Sequence, residues 1–78
     1  MPLPGPTTST IAAEMVASVL EVPVAPGDPV EVGDTVCLLE SMKMEIPVLA
    51  ERRGTVSEVK VVPGDVIQEG DALIVLER

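Results

Sequence analysis

From Ile11 onward the apolar residues come in short runs of mainly β-branched side chains, interrupted every few residues by Pro-Gly-Asp or Gly-Asp. Such runs with such punctuation predict strands joined by tight turns. We place strands at 11–14, 16–24, 30–31, 35–41, 44–50, 54–62, 67–68 and 72–76. No window of useful length carries the i, i+3, i+4 pattern of an amphipathic helix, so none is predicted. Pro47 falls inside one of these strands, which should therefore lie at a sheet edge or be bulged there. Gly27 and Gly64 stand at turn positions that call for positive φ. Residues 1–10, with Pro2, Pro4, Gly5, Pro6 and a Thr/Ser run, bury too little apolar surface to offset ordering entropy and read as a disordered tail ahead of a domain at 11–78.

The pattern repeats. Sliding the chain by 37 positions, from residue 26 to residue 63, lays Pro26-Gly27-Asp28 on Pro63-Gly64-Asp65 and Gly33-Asp34 on Gly70-Asp71. It also lays Glu21-Val22 on Glu58-Val59 and Leu39-Glu40 on Leu76-Glu77. Two copies are too few for a solenoid and enough for a two-fold pseudo-symmetric unit, in which each copy buries its apolar face against the other. The fold class is thus all-β: a flattened β-barrel or sandwich of two four-stranded antiparallel sheets. The repeat sets Glu40 in correspondence with Glu77, and so places the ends of the chain opposite the tip that follows Glu40.

Composition narrows the chemistry. With 78 residues there is one small domain, and with no Phe, Tyr or Trp its core is aliphatic and it offers no stacking platform for bases. Five Lys and Arg against 13 Asp and Glu give a net charge of −8, which opposes phosphate-backbone binding and argues against a nucleic-acid partner. The absence of histidine removes the commonest general base and metal ligand. Asp28, Asp34, Asp65 and Asp71 lack the alternate spacing of a calcium loop and read as turn residues, so no metal site is assigned. Cys37 cannot form an internal disulfide and, inside an apolar run, reads as a small buried thiol. No signal peptide or membrane-spanning run is evident, and a soluble cytoplasmic protein with no membrane partner is the expectation.

The stretch Glu40-Ser41-Met42-Lys43-Met44-Glu45 sets a lysine between two methionines where two predicted strands meet. Such a lysine is a compact cation on a flexible stem, a poor catalyst and a reachable handle. Glu40 and Glu45 flank it with no pocket to make them an acid and base pair, so no catalytic residue is assigned. At this hexapeptide the sequence resembles the biotinyl domains of biotin-dependent carboxylases, whose attachment lysine is set in a Met-Lys-Met turn preceded by Glu and a small residue. Ser41 stands where that family usually has alanine, and Met15-Val16-Ala17 where relatives often read Met-Pro-Gly, a change that bears on the first inter-strand turn. Sister lipoyl domains usually carry Asp-Lys-Ala instead.

The resemblance implies the same flattened barrel and a non-catalytic biotin carboxyl carrier, monomeric when free. Lys43 would hold biotin in an amide made by a biotin–protein ligase that reads Glu40, Ser41, Met42, Met44 and Glu45. Its other partners would be the biotin carboxylase and carboxyltransferase subunits of an acyl-CoA carboxylase. The alternatives are a lipoyl carrier or a plain interaction module with an incidental exposed lysine.

Overall fold

The computed structural model describes residues 8–77. Eight strands follow one another: β1 Thr8–Ala12, β2 Ala17–Glu21, β3 Pro29–Val30, β4 Thr35–Ser41, β5 Met44–Leu49, β6 Gly54–Val59, β7 Val66–Ile67 and β8 Ala72–Glu77. They form two antiparallel four-stranded sheets, ordered β1-β8-β6-β3 and β5-β4-β2-β7. Pro47 lies on β5, an edge strand, where its missing N–H costs no ladder bond.

Several boundaries differ from expectation: β2 ends at Glu21 and β6 at Val59, each three residues short of the expected 24 and 62, and β1 is shifted toward the start of the chain. Thr8, Ser9 and Thr10, read as part of a disordered tail, open β1 and pair with Glu77, Leu76 and Val75 of β8. Their β-branched and hydroxyl side chains bury little, but their backbone completes the edge of a sheet whose other strands supply the apolar surface. The rest of the stretch assigned to the tail lies outside the described residues. At the other end of β1, Glu14 falls beyond the strand because Ala13 already turns to meet the Gly70-Asp71 corner, with Ala13 N–H donating to Asp71 O at 2.8 Å.

The 37-residue shift holds at the level of individual strand pairs. Val19 opposite Leu39 becomes Val56 opposite Leu76, and the bulge that brings Glu21 opposite Leu38 recurs as Glu58 opposite Val75. Ile46 opposite Leu39 corresponds to Ser9 opposite Leu76. The core follows the same rule: Ala13 and Ala50, Val19 and Val56, Val30 and Ile67, Val36 and Leu73, Cys37 and Ile74, and Leu39 and Leu76 are buried as related pairs. Cys37 is fully buried and occupies the place that an isoleucine fills in the other half.

Each half turns at the same corners. Asp28, Asp34, Asp65 and Asp71 each accept, through Oδ2, the backbone N–H three residues earlier, at 2.8–3.0 Å. These carboxylates are occupied as turn clamps. Gly27 and Gly64 take φ of 96° and 100°, open to glycine and strained for any other side chain. Gly54 is fixed for another reason, since a Cβ there would lie 2.5 Å from the carbonyl oxygen of Glu77.

The hairpin of β4 and β5 ends at residues 42 and 43. From there β5 runs to Leu49, and β6 leaves the next corner already paired, at Thr55, with Glu77. Thr8 and Glu77 therefore lie together at the end of the sandwich away from the hairpin tip, as the repeat implied. The long axis of β5, at about 3.3 Å per residue, puts roughly 20 Å between the two ends.

Candidate functional site

The tip is built by register. Glu40 pairs with Glu45 and Ser41 with Met44, which leaves only Met42 and Lys43 to reverse the chain. Two-residue hairpin loops match the twist of their strands when both central residues have positive φ. Met42 and Lys43 have φ of 52° and 65°. This left-handed geometry is ordinarily taken by Asn-Gly, because a Cβ there approaches the following carbonyl at a cost of roughly 1–2 kcal/mol per residue. The chain carries that cost at the two positions that display the lysine.

All the side chains singled out in the sequence come together. Met42 is 91% exposed and Met44 62%, values with no packing role to justify them. Lys43, Glu40 and Glu45 are exposed, and Ser41 is half-buried on the strand beneath. Among the described residues Lys43 makes no ion pair, whereas Lys60 is bound to Glu58 at 2.6 Å. Glu40 and Glu45 face each other directly across the two strands, an arrangement that like charges disfavour. An aliphatic collar and two carboxylates thus surround one free amine on a stiff mount. A covalent group on such an amine needs room and a fixed point of attachment, and the tip offers both.

Sequence reasoning did not foresee the paired left-handed residues, since neither is Gly or Asn. The signal was available in the spacing, because strands reaching Ser41 and resuming at Met44 leave a loop of two. Nor did it foresee the groove of about 590 Å³ between the edge strands β1 and β5, floored by Ile11, Leu39, Ile46, Val48 and Leu76. That groove is the seam where the flattened barrel stays open. Among the described residues no group of three His, Cys, Asp or Glu side chains is placed to hold a metal ion, and no helix is long and apolar enough to cross a membrane.

Comparison with known proteins gives a consistent result. A family model described as "Biotin-requiring enzyme" matches residues 3–76. The chain is 70% identical over 40 residues to biotinylated protein TB7.3 of Mycobacterium tuberculosis, a match covering 51% of this chain and 56% of that one. It is 48% identical over 43 residues to a biotin/lipoyl attachment protein of Bacillus subtilis, covering 55% of this chain and 59% of the relative. The matches thus span little more than half the length of these curated relatives.

Among solved structures, a single-chain, multi-domain long-chain acyl-CoA carboxylase superposes with a TM-score of 0.87 at 29% identity, over 100% of this chain and 8% of that one. The lipoyl domain of the 2-oxoglutarate dehydrogenase complex from Azotobacter vinelandii superposes with a TM-score of 0.75 at 25% identity, over 88% and 95% of the two chains. With a flattened two-fold barrel, a lysine displayed on a left-handed hairpin and a family model that matches nearly its whole length, the chain belongs to the biotin/lipoyl family of biotin-requiring enzymes.

Proposed function

We propose that this domain is a biotin carboxyl carrier and that Lys43 is its attachment residue. The observation that carries the reading is the hairpin tip, where a free lysine is held between two exposed methionines in a backbone conformation that folding alone would assign to Asn-Gly. A biotin–protein ligase, using ATP, forms an amide between the biotin carboxyl and Lys43 Nζ with loss of one water. Glu40, Ser41, Met42, Met44 and Glu45 are the features it reads. The direct Glu40–Glu45 opposition supports this, because a pair that opposes folding has another use.

When bound, biotin supplies a ureido nitrogen that holds a carboxyl group. The chain's own part is mechanical: a rigid barrel and a long flexible side chain keep that nitrogen within a small volume near two successive active sites, which raises its effective concentration at both. Those sites belong, in this reading, to the biotin carboxylase and carboxyltransferase of an acyl-CoA carboxylase, and the barrel itself is non-catalytic. The likeness to a small part of a long-chain acyl-CoA carboxylase and of the Kluyveromyces lactis urea carboxylase supports a carboxylase setting. We place the protein in the cytoplasm, where ATP and the ligase operate.

Incubation with ligase, ATP and biotin is expected to raise the mass by one biotin less one water, and Lys43→Arg to abolish the gain. Labelling at Lys60, or labelling that survives Lys43→Arg, overturns the assignment. Modification by a lipoyl ligase and not a biotin ligase replaces it with lipoyl carriage, the reading that the lipoyl-domain likeness would favour.

A further inference from the structure

The two-fold repeat gives each sheet an internal control. The outward face of the β5-β4-β2-β7 sheet carries Leu20, Leu38, Pro47, Leu49 and Val66. The positions related to these by the 37-residue shift, on the outward face of the other sheet, carry Ser57, Val75, Thr10, Ala12 and Pro29. In place of Leu20, Pro47 and Leu49 the same fold thus accepts Ser, Thr and Ala, and in place of Leu38 the smaller Val, so packing within the domain does not require the larger apolar side chains on this face. Val66 is 68% exposed and Leu49 47%, while Leu20 and Leu38 are half-buried beside them.

Charge differs between the faces in a matching way. Glu21, Glu40 and Glu45 are exposed along the leucine-bearing face, and β2, β4, β5 and β7 contain no lysine or arginine. On the other sheet the equivalent of Glu21 is Glu58, which is neutralised by Lys60, and the position of Lys60 is taken by Pro23 in the first half. The lysine-bearing sheet thus offers an apolar centre with an unneutralised acidic margin, continuous through β4 and β5 with the tip that holds Lys43.

We propose that this outer face is the surface by which the carrier docks on the biotin carboxylase subunit, whose matching surface is apolar at its centre and rich in Lys and Arg at its rim. Docking on this face sets the direction in which the hairpin points, so that the arm on Lys43 searches from a fixed origin. The identity of the partner rests on the biotin-carrier reading; the choice of face rests on the asymmetry between the two sheets.

The test transplants the other sheet's side chains. Leu20→Ser, Leu38→Val, Pro47→Thr and Leu49→Ala are combined in the full chain, and the variant is compared with the parent as a substrate for the biotin carboxylase subunit of the source organism. Ligase labelling of Lys43 and the melting temperature are expected to stay near parental values, because each new residue already occupies the related position. The carrier's kcat/KM in carboxylation is expected to fall at least tenfold, and the parental value to fall as salt rises. In parallel, amide shifts of labelled carrier titrated with the same subunit are expected to map to Leu20, Leu38, Leu49 and Val66.

Parental kcat/KM in the variant, or shifts on Thr10, Ser57 and Val75 instead, overturns the proposal. Concentration-dependent dimerisation that the variant loses assigns the face to a second copy and also overturns it. If the variant melts well below the parent, the shift map on the parent alone decides. Failure of labelling in the parent removes the carrier reading and leaves the shift map to judge the face.

Discussion

Met42 and Lys43 occupy left-handed backbone with side chains that gain nothing from it, and this is the most economical physical signature of the tip. Replacing them by the residues the turn prefers, Met42→Asn with Lys43→Gly, is expected to stabilise the domain by about 1 kcal/mol in urea unfolding while removing the amine proposed as the biotin acceptor. A loss of stability would show that the methionine and lysine side chains hold the hairpin. Cys37 illustrates the opposite case, a reactive group used for its volume. Burial pushes its thiol pKa up, a shift the backbone N–H of Leu38 only partly offsets. Because the folded pKa is the raised one, the two states bind the same proton below the unfolded value near 8.5, and stability is lost as pH climbs above it. The expected slope is at most about 1.4 kcal/mol per pH unit, read from urea midpoints between pH 8 and 10 and absent from Cys37→Val. The burial of Cys37 was legible from its place in an apolar run. The left-handed pair was not, because residue type is the usual guide to positive φ and here residue type serves the site.

At the scale of the hairpin, the two strands act as a ruler that sets where the amine stands. Inserting one residue between Met42 and Lys43 lengthens the loop to three and displaces the amine by up to about 3.3–3.6 Å, while the pairs from Ser41–Met44 inward can persist. Biotin transfer by the ligase is therefore expected to drop severely with the circular dichroism spectrum and melting temperature nearly unchanged; transfer at the parental rate would mean that exposure of a lysine suffices. All eight strands could be read from β-branched runs and Gly-Asp corners, and Pro47 narrowed its own strand to a sheet edge or a bulge, of which the structure shows the edge. β1 was the exception at its start. Thr8, Ser9 and Thr10 have no apolar pattern of their own, and they become a strand because β8 presents an unpaired edge to them, a tertiary cause that a local window does not contain.

For the whole molecule, the repeat forecast that two halves would bury like residues against each other, and the buried pairs from Ala13 and Ala50 to Leu39 and Leu76 bear that out. What spacing did not disclose was the exchange of short strands, β3 joining β6 in one sheet and β7 joining β2 in the other, since two-residue strands carry no periodicity. Thr8 directly opposite Glu77 stands where the other half has Glu45 opposite Glu40. A four-residue bridge from Glu77 to Thr8, such as Ser-Asn-Gly-Thr, would match the four residues between Glu40 and Glu45, make a second hairpin of the same type and turn the chain into a closed loop of two interchangeable halves. New ends opened at the exposed corner between Gly33 and Asp34 should give a circular permutant that folds and is still biotinylated on Lys43, checked by its melting curve and mass. In such a molecule the order in which the strands are made is rearranged while the lysine keeps its place, so the position of the carrier within a longer polypeptide becomes a matter of convenience for the assembly and not a requirement of the barrel.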